Sequence, residues 1–206
     1  MTLFPHPPRR RGRAGAAERA EWRWPPSWYL GLAAAVGVQR MRELGLSRRH
    51  ERGLRGARAA ARTYPLMVAT HVALLVLPGV EAAARQRRPR LPGLWVGLVA
   101  ASTALRWWSI RTLGPSWNVR GVVPDGLRPV ARGPYRLVRH PNYLAVAVEF
   151  LALPLAAGAV WSAVGLSLVN ALVLVDRIRA EERLLARVPG YEEAFEGRAR
   201  LIPGIF

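Results

Sequence analysis

The sequence predicts an all-α integral membrane protein of about five transmembrane helices, with a cytoplasmic loop and a C-terminal helix forming a cofactor site. Three observations carry that prediction: apolar runs too long for a soluble domain, basic residues placed between those runs, and polar residues gathered into one loop and one tail. The chain of 206 residues is 51% hydrophobic yet has a formal net charge of +18, and all 31 of its basic residues are Arg. With no cysteine, disulfides, thiolate zinc sites, iron–sulfur clusters and a Cys nucleophile are excluded.

Residues 1–26, rich in Pro and Arg and without an apolar core, read as a disordered tail and not as a signal peptide. Residues 27–206 then form a single membrane domain. Its first segment, Ser27 to Leu46, is apolar in its first half and amphipathic in its second, where Gln39, Arg40, Arg42 and Glu43 fall. The run 64–84 is a stronger spanning candidate, and 91–108 is similar, ending on Trp107 and Trp108 where an aromatic belt belongs. Two shorter runs follow, 142–157 and 159–175, split by Gly158. Each is short of the ~20 residues of a perpendicular span, so they read as a tilted or partly re-entrant hairpin.

With five segments, the regions 47–63, 109–141 and 176 onward share one side and carry 18 Arg, against ten on the other. That asymmetry places the first side in the cytoplasm, with the chain in the inner membrane. Arg placed between apolar segments also points to the lipid bilayer as partner, because a nucleic-acid face would be a stripe interleaved with stacking aromatics. The oligomeric state has no signal in the sequence.

The polar stretch 109–143 is punctuated by Gly-Pro, Pro-Asp-Gly and Gly-Pro, which predicts a structured loop with turns and a short hairpin. Pro141 sits where a first helical position belongs, with His140 before it as a cap. A helix N-terminus flanked by Arg139 favours a carboxylate or phosphate. On the same side, Asp176, Arg177, Glu181 and Glu182 continue the last helix. Carboxylates there suit ribose hydroxyls or an ammonium group, and Arg139 suits a carboxylate. An amino acid joined to a nucleoside carries all three, and S-adenosyl-L-methionine is such a molecule.

Each of these residues also has a plainer reading. His140 can be a cap alone, Glu181 and Glu182 a solvated face paired at i to i+4 with Arg177, and Glu149 a structural partner for an Arg of the first or third segment. His71 reads as a satisfied interior histidine. No two His lie at ligand spacing, so no metal is expected. No Walker loop, G-x-G-x-x-G or G-x-S-x-G occurs.

"GPYRLVRHPNY", followed about forty residues on by "EERLL" and "GYEEAF", resembles the isoprenylcysteine carboxyl methyltransferase family of integral membrane enzymes. The R-H-P-x-Y core with the downstream Glu-Glu is the specific part. The segments 46–81 and 105–120 further resemble a bacterial branch associated with type III polyketide synthases, which methylates alkylresorcinols or alkylpyrones. The resemblance covers roughly 28–203. It implies that Arg139, His140 and Tyr143 help form a pocket for S-adenosyl-L-methionine, which Glu181 and Glu182 close. It also implies methyl transfer to an oxygen of a lipophilic acceptor: a carboxylate, which needs no base, or a phenol or enol, for which a base or a cation helps form the oxyanion and His140, Glu149 or a nearby Arg serves. Arg139, His140 and Glu149 are thus the candidate catalytic residues. Phospholipid N-methylation, an NADPH-dependent sterol or lipid reduction and non-enzymatic binding of anionic lipid are the alternatives. This chain departs from the family pattern at Ala145, often Gly, and at Phe195, often Tyr.

Overall fold

A computed structural model describes residues 25–202 except 54, 60 and 61, so the tail expected over 1–26 lies outside the described residues but for its last two. The described chain is predominantly helical. Helix α1 spans Ser27–Glu51, α2 Tyr64–Arg85, α3 Pro92–Leu113, α4 Pro141–Ala156 and α5 Val160–Leu185, with a single turn, α6, at Tyr191–Ala194. Two of them, α2 and α5, are long and apolar enough by length and composition to cross a membrane. At 16 residues α4 measures about 24 Å, short of the ~30 Å hydrocarbon layer. Helix α5, at 26 residues, measures about 39 Å, so its final turns exceed that layer.

Local sequence explains where the helices begin and end. Prolines occupy first-turn positions of α2, α3 and α4, where a missing amide hydrogen costs nothing. Between α4 and α5 the chain reverses at Gly158, whose φ of +73° lies in the left-handed region. A Cβ there would sit 2.7 Å from the carbonyl oxygen of Arg87, so the α2–α3 connection packs directly on this turn. At that end Glu81 also accepts hydrogen bonds from the backbone of Trp161 and Ser162.

The regions 47–63, 109–141 and the tail meet at the opposite end. Strand β1, Gly56–Arg58, pairs antiparallel with β2, Val122–Pro124, in the register Gly56 to Pro124. The expected hairpin within 109–143 is therefore replaced by a ribbon between two distant loops. His50 Nδ1 bonds the carbonyl of Trp117 at 2.7 Å, Ser47 Oγ accepts the amide of Val119, and Thr63 Oγ1 donates to Asp176. The backbone amides of Arg139 and His140 donate to the carbonyls of Ala199 and Arg200, which ties the tail to the start of α4.

All five long helices contribute to one apolar core, with Tyr29, Leu74, Val99, Phe150, Leu153 and Ile178 among its members. The outward faces of α1, α2 and α5 are apolar as well: Met41, Val72, Val80, Leu168 and Leu172 are exposed. Exposed apolar side chains on α2 and α5 suit contact with hydrocarbon. In α1 the usual order is inverted, because Gln39, Arg40, Glu43 and Ser47 point inward and are buried. Composition alone therefore understates how α1 packs: Arg40 and Glu43 face the bundle, while Arg42 is exposed.

Candidate active site

The structure brings Arg139, His140, Tyr143, Glu181 and Glu182 together at the loop end of the bundle. Helix α4 begins at Pro141 and places His140 at its N-cap, but the imidazole makes no cap hydrogen bond. It turns instead to α5, where Nε2 lies 3.0 Å from Glu182 and Nδ1 lies 3.9 Å from Glu181. The helix start is capped by backbone alone, with the His140 carbonyl accepting from Tyr143 and Leu144.

Glu182 also accepts from Arg200 at 3.0 Å and pairs with Arg139 at 3.6 Å. Arg139 Nε donates to the carbonyl of Arg198. Tyr143 donates its hydroxyl hydrogen to Glu181, and Arg177 Nε donates to the same hydroxyl at 3.3 Å. Arg177 further reaches the carbonyl of Val119 at 2.7 Å and Glu181 at 3.8 Å, the i to i+4 pair along α5. The two adjacent carboxylates thus divide their work: Glu182 braces the start of α4 and the tail, and Glu181 holds the Tyr143–Arg177 pair.

A cavity opens beside these groups, lined by Arg139, His140, Tyr143 and Glu181. Glu182 stands behind His140 and outside the lining. The other walls are aromatic or come from the ribbon loop, among them Trp117, Tyr135, Tyr191 and Phe195. Phe195 packs on Tyr191 with ring centroids 4.8 Å apart, so this departure from the expected Tyr keeps an aromatic wall. Burial raises the hydroxyl pKa of Tyr135 and of Tyr191, reinforced by the charges of Glu181 and Glu182 respectively, so both stay protonated donors.

Two residues here had no motif to announce them. Gly121, with φ +65°, lines the cavity, and a Cβ on it would lie 2.9 Å from Glu181 Oε1. Arg177 was legible only as a helix-face partner, although it is the bridge between α5, Tyr143 and the ribbon loop.

Glu149 sits elsewhere. It lies six residues farther along α4 than Tyr143, is 1% exposed, and binds the guanidinium of Arg40. Arg40 in turn contacts Glu43 at 2.7 Å, and Glu43 receives Arg106 Nε at 2.7 Å and Gln39 Nε2 at 2.9 Å. Two carboxylates and two guanidiniums from α1, α3 and α4 form this cluster, in which every buried charge has an opposite partner. A second cavity is lined by Arg40, Glu43, Arg106 and Arg177, and by His71, whose Nδ1 lies 2.7 Å from the carbonyl of Met67. The two cavities share Trp117, Asn118, Asn142 and Tyr143 as a common wall.

Comparison with known proteins adds two findings. The profile of the isoprenylcysteine carboxyl methyltransferase (ICMT) family matches residues 95–187, the region that contains every residue of the first cluster except the tail contacts. Over 160 residues the chain is 31% identical to the "Uncharacterized protein YpbQ" of Bacillus subtilis (strain 168), a match spanning 75% of this chain and 94% of that protein.

Proposed function

Because the chain belongs to the isoprenylcysteine carboxyl methyltransferase family, a family of membrane methyltransferases, we propose that it transfers a methyl group from S-adenosyl-L-methionine to an oxygen of a lipophilic acceptor. The observation that carries this reading is the pair of adjoining cavities: one polar and aromatic at the loop end, the other among the helices with exposed apolar residues on its rim.

The chemistry of the first cavity fits the proposed cofactor. Arg139 offers a cation for a carboxylate, Glu181 an anion for an ammonium or ribose hydroxyls, and Tyr135, Tyr191 and Phe195 offer faces for a purine. Asn142 Oδ1 is buried without a partner among the described residues, which suits a ligand donor at the shared wall. When bound, S-adenosyl-L-methionine supplies a methyl group on a cationic sulfur. The protein's task is then to orient: Glu182 holds His140 and Arg139 in place, Glu181 holds Tyr143, and the common wall brings the acceptor oxygen into line. Such positioning can supply several kcal/mol, up to roughly 7–11 in ideal cases. A carboxylate acceptor needs no base; for a phenol or enol, His140 is the nearer base and Arg177, bonded to Tyr143 of the shared wall, the nearer cation for the oxyanion, with Glu149 engaged by Arg40.

In this reading α1 to α5 all cross the inner membrane, α4 and α5 as a tilted hairpin turning at Gly158, with the loop end in the cytoplasm. The acceptor enters laterally from the bilayer. Suitable acceptors are an isoprenylcysteine-like acid, an alkylresorcinol or an alkylpyrone.

The test uses purified full-length protein with methyl-labelled S-adenosyl-L-methionine and prenylcysteine, alkylresorcinol, alkylpyrone or phosphatidylethanolamine. Label should appear in an oxygen acceptor, and Arg139→Ala or Glu181→Ala should weaken cofactor binding in folded protein. Label appearing in phosphatidylethanolamine alone, or cofactor affinity unchanged in both variants, refutes the reading.

A further inference from the structure

Resting on the methyltransferase reading, we propose that Trp117 and Asn142 form the subsite for the cofactor's sulfonium. The wall between the two cavities then recognises positive charge on sulfur and separates the methyl-bearing cofactor from its spent form. Trp117, Asn118, Asn142 and Tyr143 line both cavities. A methyl group held in the first cavity and an acceptor oxygen held in the second meet at this wall, because displacement needs the reacting atoms roughly 3–3.5 Å apart. The sulfur that carries the methyl group therefore lies against the wall too, whichever oxygen accepts.

Charge decides which groups can serve there. Glu181, the one carboxylate lining the first cavity among the described residues, is bound by Tyr143 and Arg177 and is the partner assigned above to the ammonium or ribose. Glu43, its counterpart in the second, is bound by Arg40 and Arg106. Glu182 and Glu149 stand outside both linings, held by His140 and Arg40. What remains at the wall is neutral and electron-rich. Tyr143 already has the Arg177 guanidinium over its ring, 5.9 Å from the centroid. Trp117 has no guanidinium over its ring among the described residues, and its ring neighbour is His50, at an interplanar angle of 87°. An indole face is the best of the aromatic partners for a cation. Asn142 Oδ1 is buried without a donor among the described residues, and the polarised hydrogens of a sulfonium methyl group suit a C–H···O contact with such an oxygen.

The loop that carries Trp117 is held through other atoms. The Trp117 carbonyl accepts from His50, the Val119 amide and carbonyl bond Ser47 and Arg177, and the Asn118 side chain bonds the backbone of Ser116 and Val122. The indole takes no part in these bonds, so its place between the cavities, at 3% exposure, is fixed before any ligand arrives. When an ionised acceptor oxygen bonds the methyl carbon, the electron pair of the broken sulfur–carbon bond stays on sulfur, and the sulfonium becomes a neutral thioether. The wall then loses its attraction for the spent cofactor, which favours release.

Three ligands test this by calorimetry on the full chain in lipid nanodiscs: S-adenosyl-L-methionine, S-adenosylhomocysteine, and a neutral analogue in which a C–H group replaces the sulfonium sulfur and keeps the methyl group. The unmodified protein should bind S-adenosyl-L-methionine about fivefold or more tightly than the neutral analogue, with S-adenosylhomocysteine close to the analogue. Trp117→Leu should remove most of that preference, Trp117→Phe should keep part of it, and Asn142→Leu should cut it by about two- to fivefold. Trp117→Met serves if the leucine variant does not fold. The ratio of affinities carries the test, because a merely structural change moves all three ligands together. Equal binding of the charged and neutral ligands to the unmodified protein, or a preference that survives loss of either side chain, overturns the proposal. S-adenosyl-L-methionine binding without the charge preference sinks this inference alone, whereas failure of both natural ligands to bind the unmodified protein sinks the methyltransferase reading.

Discussion

At the loop end, Glu181 and Glu182 hold Tyr143, Arg177, His140, Arg139 and Arg200 around a cavity that water can reach. Deeper in the bundle, Glu43 and Glu149 hold Arg40 and Arg106, with both carboxylates 1% exposed. Both regions set two carboxylates among guanidiniums, yet the consequences differ. An ion pair near water contributes little and its partners can be exchanged, whereas a buried charge that loses its partner keeps its full desolvation cost. The loop-end groups are therefore available for a ligand, and the deeper ones are bound first to each other.

The largest expected effect tests that contrast. Glu43→Ala leaves Arg40 and Arg106 to share Glu149, and should destabilise the protein by about 3–5 kcal/mol. Thermal unfolding in detergent or nanodiscs measures it, and a shift no larger than that of Glu182→Ala would erase the contrast. Glu149→Gln keeps a hydrogen-bond acceptor for Arg40 but removes the charge, so stability should fall by about 1–3 kcal/mol while cofactor affinity holds. A cofactor Kd that rises with it would return Glu149 to the active site.

Smaller changes sharpen the loop-end half. Glu181→Ala removes a charged partner from Tyr143 and Arg177 and should weaken S-adenosyl-L-methionine binding by roughly ten- to a hundredfold, read by calorimetry, with a smaller loss of unfolding temperature than Glu43→Ala. Gly121→Ala forces a Cβ towards Glu181 from a left-handed backbone, a penalty of about 1–2 kcal/mol. Its cofactor affinity should fall several-fold, and an unchanged Kd would show that the ribbon loop does not position Glu181.

Much of the loop-end site was legible from residue order. "RHPNY" and "EE" each carry polar groups at a helix end next to apolar sequence, and Pro141 marks where that helix must start. A cap was the plainer reading of His140, because a cap requires only a residue before the helix; its ring makes no cap bond, and its bond to Glu182 depends on how α4 meets α5. Of the deeper cluster only one link was legible, the pairing of Glu149 with an Arg of the first or third segment, which is Arg40. Arg40 and Glu149 are 109 residues apart, and Arg106 and Glu43 are 63 apart. Which Arg meets Glu149, and that Glu43 joins Arg40 to Arg106, depends on how α1, α3 and α4 pack.

By itself the sequence determined the helical segments, the turn at Gly158, the grouping of Arg-rich loops at one end and the polar residues available there. These follow from local rules: apolar length, the φ restriction of proline, the freedom of glycine. Only the tertiary structure decided the ribbon between Gly56–Arg58 and Val122–Pro124, the inward face of α1 and the cavity that Arg106, Asn170 and Arg177 surround. Periodicity reports which face of a helix is apolar, but not which neighbour that face meets. In α1 the polar residues Gln39, Arg40, Glu43 and Ser47 turn inward, because their partners lie on α3 and α4 and in the loop after α3.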